Sequence, residues 1–108
     1  MTGPDPLPVN DGARAIASAK LAHEGGLHAR PAIKVTQLAK RYAAKVSIAI
    51  AGDGPWIDAK SIARVMAMKA PNGSVLHFSA EGVDAVAAVE ALAQLVADDF
   101  VIASNDDA

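Results

Sequence analysis

The run Gly25-Gly26-Leu27-His28-Ala29-Arg30-Pro31-Ala32 sets an imidazole, a guanidinium and a proline at a spacing that suits the start of a helix. Pro31 fits the first turn, where a missing N–H costs nothing. The first amides of a helix lack internal partners and carry the positive end of the peptide dipoles, so the terminus receives anions. A Ser, Thr, Asp or Asn side chain usually occupies those donors. Ala29 cannot, which leaves the amides of Ala29 and Arg30 open to a ligand. Arg30 works against the helix dipole unless an anion sits nearby, and its guanidinium can grip phosphate oxygens with paired N–H bonds. An imidazole, with an ordinary pKa of about 6.5, is a nucleophile at neutral pH. Phosphoryl transfer asks mainly for in-line positioning and for stabilisation of charge on the moving oxygens. Gly25 and Gly26 are expected to let the backbone pass close to a partner without obstruction. The residues alone give an anion site at a helix start with a histidine in it.

The surrounding elements must hold that histidine. Ala15 to Leu21 reads as a strand with a small-residue face. The helix that follows is predicted from Ala29 or Arg30 to about Tyr42, with Ala32, Ile33, Leu38, Ala39 and Tyr42 on one face. Lys45 to Ile50 alternates Val46, Ile48 and Ile50 against polar or small neighbours. Gly52 to Pro55 reads as a turn, and Trp56 to Ala59 as the returning strand. Ser61 can cap a short helix running to about Met68, with Ile62, Val65 and Met66 inward. Ser74 to Ala80 is a strand with Leu76, Phe78 and Ala80 inward. Val86, Val89, Leu92 (or Ala93), Val96 and Phe100 mark a final amphipathic helix from Val83 to about Asp98, with Asp84 near its positive end. The order β-α-β-β-α-β-α predicts a two-layer α+β domain over 14–100, with a flexible leader at 1–13 and a flexible tail at 101–108.

Composition removes several classes of function. A net charge of -2 with no basic block argues against nucleic acid as a partner. The absence of cysteine removes thiolate metal sites, disulfides and cysteine nucleophiles together. With no apolar run that suits a membrane span or a secretory leader, the expectation is a cytoplasmic protein that does not engage membranes.

Gly26-Leu27-His28-Ala29-Arg30-Pro31-Ala32 resembles the active-site signature of HPr, the histidine-containing phosphocarrier family of the bacterial phosphoenolpyruvate-dependent phosphotransferase system. Ala59-Lys60-Ser61-Ile62 is similar to that family's regulatory-serine motif. The likeness spans roughly Ala15 to Asp98. It implies an open-faced β-sandwich, a four-stranded antiparallel sheet covered on one face by three helices. It also implies that His28 takes a phosphoryl group on Nδ1 from phosphorylated enzyme I and passes it to an enzyme IIA protein, Arg30 balancing the charge. Such a chain is a stoichiometric carrier with a phosphohistidine intermediate, needs no cofactor, and docks transiently as a monomer. Ile33, Ile62 and Met66 would form the apolar patch on which partners dock. The serine matching Ser61 is phosphorylated by a dedicated kinase in some bacteria and unmodified in others. Capping is the reading preferred for Ser61, with a serine kinase and phosphatase as conditional partners.

The chain departs from the family pattern at Ile33, Ala63, Arg64 and Lys69, which bears on the choice of downstream partner. One alternative is a regulatory module of the same fold whose target reads the phosphorylation state. Another is a small-anion-binding domain. His23 and His77 are read as exposed strand residues; His23 and His28 have no evident carboxylate partner beside them, and no metal site is expected.

Overall fold

The computed structural model describes residues 14–52 and 54–100. Its elements are β1 (Arg14–Lys20), α1 (Ala29–Ala39), β2 (Lys45–Ala49), β3 (Ile57–Asp58), α2 (Ile62–Ala67), β4 (Val75–Glu81) and α3 (Ala85–Ala97). The sequence-based leader and tail lie outside the described residues. No described helix is long and apolar enough to cross a membrane.

The strands form one antiparallel sheet in the order β1-β4-β2-β3. The pairing follows from the period of two in side-chain direction. Ala15, Ala80 and Val46 lie in register across three strands, as do Ala17, Phe78 and Ile48. All six belong to the core or pack against it. The opposite row is polar or exposed, with Arg14, Ile16, Ser18, Ser47 and His77. One sheet face therefore carries the helices and the other is open, the open-faced sandwich. Small alanines on β1 let α3 come close, and α3 supplies Ala85, Ala88, Val89, Leu92, Leu95 and Val96 to the interface. Phe78, in the central strand β4, is fully buried, which contributes about 2–3 kcal/mol by area.

Several expectations need correction. Helix α1 stops at Ala39, not Tyr42, because the chain tightens into i+3 bonds (Arg41 N–H to Leu38 O, Tyr42 N–H to Ala39 O) before entering β2. The returning strand is only Ile57–Asp58. Val65 is the buried residue of α2, while Ile62 and Met66, expected inward, are exposed. On α1 the inward face is Pro31, Ala32, Val35, Thr36 and Ala39, with Ile33 outside it. Ile50 and Val86 are also exposed, and Phe100 is buried only after the chain has left α3.

Asp84 is the N-cap residue of α3, yet it makes no capping hydrogen bond there. Its carboxylate accepts the N–H groups of Ala43 and Ala44, both at 2.8 Å, and so ties the start of α3 to the entry of β2. The Ala43 amide is the main reason its carboxyl is held below the usual value; partial burial opposes this, and the Ala44 amide and the Lys60 charge add to it.

Candidate functional site

After β1 the chain is fixed at Leu21, whose N–H reaches Ser74 O and whose carbonyl accepts from Gly73. It then turns through Gly25 (φ +85°) and Gly26 (φ +74°), a left-handed backbone that side chains disfavour. Gly26 is buried, and a Cβ there would lie 2.4 Å from the carbonyl oxygen of Ala70. Leu27 follows, 2% exposed, donating its N–H to the same oxygen at 2.8 Å. These glycines therefore serve close packing within the chain, Gly26 against the α2–β4 connection and Gly25 against the His28 ring.

With the loop held this way, His28 becomes the N-cap residue of α1, extended at φ -98° and ψ -162°. Its carbonyl accepts the first helical bond, from Ala32 N–H at 2.9 Å. Its side chain is exposed and makes no capping bond. The amides of Ala29 and Arg30 have no protein partner among the described residues, and Pro31, third in the helix, has no N–H to satisfy. The first turn contains no acid, and Arg30 is exposed without an ion pair among the described residues. The imidazole, two open amides and the guanidinium thus share one helix start. The Cδ2–Nε2 edge of the His28 ring lies against Gly25, at 3.0 and 3.3 Å from a Cβ built there. Nδ1 is the ring atom opposite that edge.

The other sequence-predicted residues fall into two groups. Ile33 on α1 and Ile62 and Met66 on α2 are exposed by 39%, 39% and 40%, on two helices that touch each other. Ser61 is the N-cap of α2, its hydroxyl accepting Arg64 N–H at 3.3 Å. Lys69, just after this helix, stands at φ +52°, a conformation that suits glycine better. Trp56 is half-buried at the open sheet face, where it lines a cavity of about 180 Å³ with Arg14, Lys45, Ser47, Ser79 and Glu81. His77 is half-buried in β4. No group of three or more metal-ligating side chains occurs among the described residues.

Sequence reasoning missed the surroundings of His28. His23 lies in the loop and not in a strand, with its ring centroid 5.4 Å from that of His28. Its Nδ1 is 2.5 Å from an Asp99 carboxylate oxygen, the acidic partner not expected from sequence. The only local signal was the pair of histidines flanking Gly25 and Gly26. Asp99 is 76 positions away, and nothing in the sequence pairs it with His23.

Residues 17–98 match the family model described as the PTS HPr component phosphorylation site. The chain is 39% identical over 85 residues to the phosphocarrier protein HPr of Treponema pallidum, covering 79% of this chain and 94% of that one. It is 38% identical over 84 residues to the multiphosphoryl transfer protein of Vibrio cholerae; this match takes in 76% of the chain but only 21% of that longer protein. Among solved structures, HPr from Bacillus anthracis superimposes with a TM-score of 0.69 at 37% identity, covering 78% of this chain and 98% of that one. An HPr structure from Thermoanaerobacter tengcongensis gives 0.72 at 31% identity, covering 80% and 94%.

Proposed function

The chain belongs to the HPr family of phosphocarriers of the phosphotransferase system, and from this we propose that His28 is the residue that carries the phosphoryl group. The observation that bears most weight is the exposed His28 imidazole at the N-cap position of a helix whose first amides have no partner among the described residues. The donor is phosphorylated enzyme I, and the acceptor is a histidine of an enzyme IIA protein. In the first step the Nδ1 lone pair forms a P–N bond while the bond from phosphorus to the donor nitrogen breaks, its electron pair staying with the donor. The exposure of the His28 ring at the helix start favours access for attack in line with the leaving group. The amides of Ala29 and Arg30 and the Arg30 guanidinium receive the charge on the phosphoryl oxygens. Such a small donor set binds phosphate without trapping it, as a carrier that must release its cargo requires.

Ile33, Ile62 and Met66 are the docking patch, since exposed apolar side chains on adjoining helices give a partner area to bury beside the histidine. Arg64 and Lys69 give its rim a positive charge that sets partner choice. A phosphate on Ser61 would place negative charge next to Ile62 and weaken docking; a serine kinase and phosphatase are the partners this would require. The protein acts as a cytoplasmic monomer, through transient encounters and without a cofactor. Incubation with enzyme I and phosphoenolpyruvate should add one phosphoryl group by intact mass, labile in acid and stable in base. The group should be absent from His28→Ala. Persistence of the modification in that variant, or no modification of the wild type, refutes the assignment.

A further inference from the structure

His23 is held from several sides. Its Nδ1 meets the Asp99 carboxylate at 2.5 Å, and its ring stands edge-on to Phe100 at 5.3 Å between centroids. It also lies beside His28, 5.4 Å away at an interplanar angle of 38°. The end of α3 is shaped to make this contact. Asp99 and Phe100 both take left-handed backbone, at φ +55° and +65°. Aspartate tolerates that region, but phenylalanine does not do so readily. The strain is offset because Phe100 is 3% exposed, its N–H reaches Leu95 O at 2.7 Å, and its carbonyl accepts Lys34 Nζ at 2.8 Å.

A carboxylate only accepts hydrogen bonds, so the bond to Asp99 fixes the His23 proton on Nδ1 and leaves Nε2 as the nitrogen whose protonation can change. The titratable groups that meet this ring are Asp99 from the end of α3 and His28 from its own loop; Glu24 is its neighbour in sequence, and Lys34 of α1 binds the carbonyl of the adjoining Phe100. A doubly negative phosphoryl group on His28 would be the strongest anion beside it.

We propose that His23 is a second imidazole of the phosphoryl site, oriented by Asp99 so that its protonated Nε2 donates to the phosphoryl group carried on His28. The proposal rests on His28 being the carrier residue. No bond of His23 is made or broken in the transfer. It contributes a hydrogen bond and a charge to the phosphorylated state, and so makes the carrier hold its cargo more tightly as the pH falls through the range where imidazoles titrate.

The test is the phosphorylation equilibrium of the full chain against phospho-enzyme I, measured by intact mass between about pH 6 and pH 8.5. His23→Asn keeps a donor where Nδ1–H meets Asp99 and removes the group at Nε2, whereas His23→Gln keeps a donor near the Nε2 position. In the wild type the phosphorylated form should be favoured about fivefold more than in His23→Asn at pH 6, with the difference vanishing by about pH 8.5. His23→Gln should lose the pH dependence while keeping part of the gain, and Asp99→Asn should weaken it. Thermal melts of the variants separate this from a purely structural anchor, which would alter stability without altering the pH profile. Identical equilibria and 31P titration curves for the wild type and His23→Asn overturn the proposal and leave His28 as carrier untouched. Failure of the wild type to be phosphorylated overturns both.

Discussion

Replacing Gly26 by alanine tests whether the loop before α1 is held by close packing within the chain. The added methyl meets the Ala70 carbonyl oxygen at 2.4 Å, and that oxygen belongs to backbone that cannot rotate away. The backbone at φ +74° also costs an L-residue about 1–2 kcal/mol. Relieving the clash means parting the two strands of chain, which breaks the Leu27 N–H to Ala70 O bond at a cost of about 1 kcal/mol or more. The sum is about 2–4 kcal/mol, a large part of the about 5–15 kcal/mol that a small domain possesses. At about 1 kcal/mol per molar urea, the unfolding midpoint followed by circular dichroism should fall by about 2 M or more. Gly25→Ala is the control. Its new methyl meets the His28 ring at 3.0 Å, a side chain that can swing, so only the backbone strain of about 1–2 kcal/mol should appear in the melt. The displaced ring should instead lower the rate of phosphorylation per folded molecule. A Gly26→Ala midpoint within about 0.5 M of the wild type would refute the packing argument.

Asp84→Asn tests the tie between α3 and β2. Folding lowers the Asp84 pKa through the Ala43 and Ala44 amides, so the stabilisation is present above the ordinary carboxylate pKa and is lost as the pH falls through the lower folded value. The variant should melt below the wild type at neutral pH, with the gap closing below about pH 4; a gap independent of pH contradicts the carboxylate's role. Ile33→Ala should weaken enzyme I binding, measured by calorimetry, by about fivefold while the melting temperature stays nearly constant, because the side chain is already 39% exposed. An unchanged affinity and transfer rate would remove Ile33 from the docking patch. Ser61→Ala should cost about 0.5–1 kcal/mol in urea unfolding, given a long capping bond of 3.3 Å; no measurable loss would deny the cap.

The sequence made plain those features that neighbouring residues decide among themselves. The period of two at Leu76, Phe78 and Ala80 marks a strand wherever it is placed, and these residues are indeed buried. Pro31 after His28 can hardly sit anywhere but the first turn of a helix, which by itself sets an imidazole at the terminus. Ser61 is equally local, since its bond to Arg64 N–H closes within one turn. Apolar periodicity was a poorer guide to burial on α1 and α2. Ile33, Ile62 and Met66 have the spacing of core residues, but the inward places are taken by Ala32, Val35 and Val65.

What surrounds the histidine was decided by the tertiary structure alone. Asp99 reaches His23 because α3 crosses the sheet and reverses at its end, bringing together groups 76 positions apart. Gly26 meets Ala70, and Asp84 meets Ala43 and Ala44, for the same reason. A helix start is fixed by sterics and hydrogen bonds spanning a few residues, which one stretch of sequence contains in full. The direction from which a distant carboxylate arrives depends on the summed packing of every element between, and no single stretch holds that information.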